Sequence, residues 1–195
     1  MGKVKYIGKI RKFFKESPIV SLASLKKFIR KKDNDYIYLI INSLLKKLEI
    51  KRIAKGFYTI HEDPSLAVFC FKPSYLGLQD ALSFHGLWEQ ETIPVIITSR
   101  KVRNGIRKIL DTNVLIRRID KKYIFGFNYE KQGDFYFPYS DIEKTFIDMI
   151  YFKQHLDKET KEEFIKRLDK KKLNSYLKYY PKRFRKMVLK LLNSK

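Results

Sequence analysis

Residues 51–60 read KRIAKGFYTI. Arg52-Ile53 is β-prone, Ala54-Lys55-Gly56 forms a corner, and Phe57-Tyr58-Thr59-Ile60 is β-prone again. Glycine takes positive φ at a tight corner without steric cost, so the stretch predicts a hairpin with Lys55 at its tip. A lone two-stranded hairpin is marginal in water. Its stability has to come from a surface it packs on, and the residues upstream supply one.

From Lys3 to Glu16, Val4, Ile7, Ile10, Phe13 and Phe14 recur at three- and four-residue steps, which is one apolar face of a helix. Ser17-Pro18 ends that helix. Ser21 is placed to cap a second helix running to about Lys31, with Leu22, Leu25, Phe28 and Ile29 inward. Asp33 or Asn34 breaks the chain and caps a third helix over about residues 35–48, with Ile37, Ile40, Ile41, Leu44 and Leu48 inward. Three helices followed by a hairpin is the order of a winged helix-turn-helix, so residues 1–62 are expected to form one, the hairpin being its wing.

In such a module the third helix enters the DNA major groove. At 100° per residue, the direction opposite its inward face holds Asp35, Leu39, Asn42 and Lys46, flanked by Tyr38 and Ser43. Asparagine pairs bidentately with adenine and leucine meets a thymine methyl. Asp35 fits a cap better than a base reader. Lys46, Lys47, Arg52 and Lys55 suit phosphate contacts, which fix position without reading sequence. The same residues are also what any surface helix shows to water, and winged helices dock proteins as well as DNA.

Charge weighs toward DNA. The 195 residues carry a net charge of +22, which favours a polyanionic partner. The excess is uneven: +11 over residues 1–62, +1 over 63–169 and +10 over 170–195. A uniform lysine bias would spread it, so two basic surfaces around a neutral body are expected. Cys70 is the single cysteine, which excludes an internal disulfide framework and fits a reducing, cytoplasmic setting. No stretch approaches the roughly 20 apolar residues of a membrane span, and no signal peptide is visible at the N-terminus, so no membrane association is expected.

Asp63-Pro64 marks the boundary to a second domain, residues 63–195. Residues 65–71 are predicted as a short helix. Another begins at Ser74 or Leu78 and ends at His85-Gly86, with Gly86 as its C-terminal cap. Strands are predicted over 93–98 and 114–119, and a hairpin over 123–129 and 134–139 around Gln132-Gly133. Asp141 to Phe152 reads as a helix with Ile142, Phe146, Met149 and Ile150 inward. Residues 63–152 thus look like a small α/β domain of three or four strands. A helical tail, 157–195, follows, with Tyr176, Leu177, Tyr180, Phe184, Met187, Val188 and Leu191 as its apolar face. Lys182, Arg183, Arg185 and Lys186 on that tail either form a second polyanion surface or are the wet side of a bundle packed on the domain.

Catalytic signals are weak. His61, His85 and His155 are too dispersed for a metal pattern, and neither a phosphate-gripping glycine loop nor a nucleophile elbow is present. Asp141, Glu143 and Asp148 share one helix, but Asp141 fits an N-cap and Lys144 and Lys153 are placed for helix ion pairs. His85 beside a helix-ending glycine reads as structural. No enzymatic activity, metal or cofactor is expected.

Three phrases together resemble one family. They are KRIAKGFYTI (51–60), PSYLGLQDALSFHGLWEQ (73–90), and YIFGFNY (123–129) with SDIEKTFIDMI (140–150). The matching residues are Ala81, Leu82, His85, Gly86 and Leu87, then Phe125 and Gly126, then Glu143, Lys144, Thr145, Ile147 and Asp148. In order and spacing, over residues 18–152, the set resembles the AbiEi-type antitoxins and related transcriptional regulators. That resemblance implies a winged-helix domain bound to double-stranded DNA at its own promoter. It implies a second domain that counteracts a nucleotidyltransferase-like toxin, and positive C-terminal surfaces that also meet DNA. It supplies no catalytic residues.

The expected fold class is therefore α+β: an N-terminal winged helix-turn-helix, a small α/β domain and a basic C-terminal helical segment. The expected function is a DNA-binding regulator that is antitoxin and autorepressor of a toxin–antitoxin operon. The alternative is a stand-alone winged-helix regulator with a protein- or ligand-sensing second domain.

Overall fold

The computed structural model describes residues 6–29 and 34–193. It is a mixed α and β structure with two sheets. The described residues fall into two compact units, one within residues 1–70 together with 108–112, the other within 71–107 together with 113–195.

The first unit runs α1 (Ile7–Glu16), β1 (Val20–Ser21), α2 (Leu22–Ile29), α3 (Asn34–Lys46), β2 (Lys51–Ala54) and β3 (Phe57–Thr59). The anticipated hairpin forms, and it is not alone. β1 adds to it antiparallel, giving a three-stranded sheet ordered β1-β3-β2. Two further bonds tie it to the chain on either side of β1: the Leu22 amide at the start of α2 donates to the Gly56 carbonyl at 2.8 Å, and Thr59 Oγ1 donates to the Pro18 carbonyl at 2.7 Å. Gly56 sits at φ +77°, the conformation the corner required. Ser21 caps α2 as expected, its Oγ accepting from the Ser24 amide at 3.0 Å. The core gathers Ile10, Phe14, Leu25, Ile29, Ile37, Ile40, Ile41, Leu44 and Tyr58.

Three expectations for this unit need correction or fall outside it. Val4, the expected end of the second helix near Lys31 and Asp33 lie outside the described residues. Phe28 is not inward: it is 43% exposed and stacks on half-buried Phe13 at 4.8 Å. Leu48 is not inward either but 82% exposed, because α3 stops two residues earlier. There the Leu48 amide bonds the Leu45 carbonyl and the Glu49 amide bonds the Leu44 carbonyl, with Leu48 at φ +56°. That pattern satisfies the last carbonyls of a helix through a left-handed residue. It turns Leu48 outward and gives Ile50 the buried place.

The second sheet has six strands in the order β6-β7-β5-β4-β9-β8: β4 (Ser74–Leu76), β5 (Val95–Thr98), β6 (Gly105–Ile109), β7 (Thr112–Arg118), β8 (Phe127–Gln132) and β9 (Phe135–Ser140). Helix α4 (Gln79–Phe84) follows β4. Expecting three or four strands missed β4 and β6. β4 is three buried residues, too short to show a period, and β6 is a charged edge strand. Residues 121–123 form a 3-10 turn, so the 123–129 strand starts only at Phe127. The predicted helix over 65–71 is also a 3-10 segment, Pro64–Phe71.

Helices α5 (Ile142–Tyr151), α6 (Lys158–Arg167), α7 (Lys170–Leu177) and α8 (Lys182–Asn193) complete this unit. Asp141, Asp157 and Asp169 cap the first three, each accepting from backbone amides two or three residues on.

The unit is built around charge held out of water. Lys144 and Asp148, one turn apart on α5, are both fully buried and ion-paired. Tyr75 Oη on β4 donates to Asp148 Oδ2 at 2.6 Å, and Lys144 Nζ reaches Tyr180 Oη at 3.3 Å. The ammonium also lies 5.3 Å and 5.4 Å from the Tyr75 and Phe125 ring centres. Burial pushes Lys144 below the usual lysine range and Asp148 above the usual carboxylate range, each opposed by the partner's charge. Gly126 passes over this pair at φ +70°; a Cβ there would lie 2.9 Å from Lys144 Cβ and from a Tyr176 ring carbon.

A second layer ties α7 to α5. Lys172 Nζ pairs with Asp141 at 3.1 Å and Glu143 at 3.0 Å, and Tyr176 Oη donates to Asp141 Oδ2 at 2.8 Å. Glu143 also accepts from the Asp169 amide at 2.9 Å. Burial lowers the Lys172 pKa, but the two carboxylates outweigh it and hold the ammonium above its ordinary range. The Tyr176 phenol is pushed up to about 12, first by burial and then by its bond to Asp141.

Removing one member of the buried pair leaves an uncompensated charge, so Lys144→Met costs about 3–5 kcal/mol in urea unfolding, and Lys144→Met with Asp148→Leu recovers most of it. A double variant no more stable than the single one contradicts this. Tyr176, raised above the ordinary phenol value near 10, contributes stability that is complete below pH about 10 and is lost as pH rises toward 12. Tyr176→Phe therefore flattens the alkaline fall in stability across that window in denaturant melts, and an unchanged slope refutes the assignment.

Candidate nucleic-acid interface

Helix α3 shows its core one face and water the other. Ile37, Ile40, Ile41 and Leu44 are buried, while Tyr38, Leu39, Asn42 and Lys46 are exposed, Leu39 by 68%. Ser43 is half-buried on the flank, and Asp35 is exposed in the first turn. Lys47 lies just beyond the helix, in the turn that Leu48 completes, and is exposed. Arg52 on β2 and Lys55 at the hairpin tip are exposed too. All eight predicted positions of the first unit thus lie on α3, the turn after it or the hairpin.

Sequence reasoning missed Lys26. It reaches from α2 to within 5.9 Å of the Tyr38 ring centre, adding a cation to the exposed face of α3 and fixing the tyrosine against it. The signal was present: Lys26 follows the buried Leu25, so its side chain leaves α2 beside the core face.

Ion pairing sharpens the field of this unit. Arg11 forks onto Glu49 at 2.6 Å and 2.7 Å, holding that carboxyl below its usual range. Lys51 pairs with Glu62, and Lys12 with Glu16 at 3.7 Å. Glu49, Glu16 and Glu62 are thereby paired with Arg11 and Lys12 of α1 and with Lys51 at the start of β2. Among the described residues, Lys46, Lys47, Arg52 and Lys55 hold no carboxylate. Lys47 lies near enough to Glu49 to help hold its carboxyl below the usual range, while Lys46, Arg52 and Lys55 face solvent.

The tail is less uniform than its charge. On α8, Lys182, Arg183 and Lys186 are exposed and Arg185 is half-buried, while Val188 is fully buried. Lys172 on α7 is spent on Asp141 and Glu143. The bundle packs on the domain and also presents a basic outer row.

The three helix carboxylates considered for metal chemistry have structural partners instead: Asp141 caps α5, Glu143 holds Lys172 and the Asp169 amide, and Asp148 holds Lys144 and Tyr75. Among the described residues no group of three or more His, Cys, Asp or Glu is arranged to hold a metal ion. His85 bonds the Ser140 carbonyl through Nε2 at 2.7 Å and leads into Gly86 at φ +64°. Cys70 is buried. No described helix is long and apolar enough to cross a membrane.

The fold has a counterpart among solved structures. The chain superposes on the crystal structure of the Rv2827c protein from Mycobacterium tuberculosis with a TM-score of 0.62, over 97% of this chain and 76% of that one, at 12% identity. At that identity the likeness is one of fold. No family model matches the chain, and neither does any curated protein sequence.

Leu48 carries a backbone conformation that glycine adopts freely, and its side chain is in solvent. Leu48→Gly is therefore expected to stabilise the first unit by about 0.5–1 kcal/mol, read as a raised Tm. A lowered Tm contradicts the geometry of this turn.

Proposed function

We propose that the protein is a DNA-binding transcriptional regulator whose first unit is a winged helix-turn-helix. The observation that carries this reading is the exposed face of α3 beside four unpaired cations, on a unit of helix, strand, two helices and hairpin. In this reading α3 lies in the major groove. Asn42 meets a base edge, with Tyr38, Leu39 and Ser43 around it. Lys46, Lys47, Arg52 and Lys55 hold phosphates on either side. Lys182, Arg183, Arg185 and Lys186 of α8 give a second region of positive charge to the same polyanion.

The antitoxin role extends the proposal. It rests on the resemblance to AbiEi-type antitoxins, whose phrases in this chain supply Phe125, Gly126, Glu143, Lys144 and Asp148. These residues are supported as determinants of the second unit's fold, since they build or crowd the buried pair. As such a protein, the chain represses its own promoter and counteracts a nucleotidyltransferase-like toxin.

Binding is tested with the full chain and duplex fragments of its own upstream region, titrated at several salt concentrations. Arg52→Glu with Lys55→Glu weakens binding and lowers the salt slope by about one per lost phosphate contact. Asn42→Ala relaxes preference at one base position by about 1–3 kcal/mol. Full affinity of the double charge variant at moderate salt removes the hairpin from the interface. Co-expression with a toxin encoded beside it, read as restored growth, tests the antitoxin role.

A further inference from the structure

A cavity of about 510 Å³ opens in the second unit, between the end of α5, residues 153–156, α6 and α8. That volume lies in the range of small-molecule sites. Its interior is apolar: Phe146, Ile150, Leu156, Phe184, Met187 and Leu191. Met187 and Leu191, one turn apart on α8, stay 44% and 39% exposed. An apolar ligand would cover both.

The charged side chains of the lining, Lys153 and Lys161, have one sign. Lys153, His155 and Lys161 line the cavity, and no carboxylate does. Gln154, the remaining polar amide, is already engaged, its Nε2 donating to the Phe152 carbonyl at 2.9 Å and its Oε1 accepting from Gln79 at 3.0 Å. Lys153 is held at φ +52°, where it closes α5: its amide bonds the Ile150 carbonyl at 3.1 Å, and the Gln154 amide bonds the Met149 carbonyl at 2.8 Å. Glycine is the usual residue at that position, and a side chain there carries strain. The strain holds an exposed cation beside an apolar hollow.

We propose that this cavity binds a small amphipathic monocarboxylate, its apolar body against Phe146, Ile150, Phe184 and Met187 and its carboxylate toward Lys153 and His155. The site stands whether or not α3 reads DNA, because it is built wholly within residues 146–191.

The test uses the full chain carrying 13C-methyl methionine, whose three methionines are Met1, Met149 and Met187. The Met187 signal is identified by its loss in Met187→Leu. Octanoate, 1-octanol and octylamine share one tail and differ in head group, and each is titrated below its micelle concentration. Octanoate shifts the Met187 methyl saturably at one site and binds at least about tenfold more tightly than octylamine, with octanol between them. Lys153→Glu, at an exposed position, weakens octanoate by about tenfold and leaves octanol unchanged. Equal affinity for the three head groups overturns the proposal, as does a linear, unsaturable shift. A Met187 shift that depends on protein concentration without ligand also overturns it, since a second copy then covers the hollow.

Discussion

The buried contact between Lys144 and Asp148 governs the second unit. Taking two charges out of water costs several kcal/mol per ion, and the cost is offset only where every remaining donor and acceptor is met. Tyr75 from β4 and Tyr180 from beyond α7 meet them, and the rings of Tyr75 and Phe125 lie near the ammonium. Four stretches far apart in sequence must therefore arrive in one register. Gly126 follows from the same constraint, because the loop that brings in Phe125 leaves no space for a side chain above Lys144.

The first unit solves the opposite problem. Its core is aliphatic and aromatic throughout, and its charge stays at the surface. Arg11, Lys12 and Lys51 neutralise Glu49, Glu16 and Glu62. Pairing on such an exposed surface adds little stability. Its effect is on the distribution of charge: Lys51 of β2 is paired, while among the described residues Lys46 on α3, Arg52 on β2 and Lys55 at the hairpin tip hold no carboxylate. A field with one sign over one surface draws polyanions from a distance and weakens with salt.

Much of this was legible in the residues because the relevant patterns are local. The faces of α3, the Ser21 cap, the Gly56 corner and the Asp141 cap each depend on neighbours within a few positions, and each forms. What escaped depends on partners far away. Val20-Ser21 is a strand only because Phe57 and Tyr58 pair with it. Ser74–Leu76 is one only because β5 and β9 flank it. Leu48 fits the helical period of α3, and no periodicity shows that the backbone turns left-handed first. On the helix 141–152 the residues favoured a cap and helix ion pairs over metal, but the long-range partners of Asp141 and Glu143 could not be read there. Those partners include Lys172 and Tyr176, some thirty residues further along.

The placement of β4 bears on how the molecule is made. This three-residue strand lies inside the sheet, antiparallel to β5 on one side and parallel to β9 on the other, with Leu76 opposite Tyr139. Closing so long a stretch of chain has an entropic cost before the contact returns anything, and pairings of this kind form slowly. In the first unit the β2–β3 pairing is a local hairpin, and Val20-Ser21 joins it from upstream of α2. The larger sheet is thus complete only when residues 135–140 stand beside residues 74–76, across about half of the second unit's sequence.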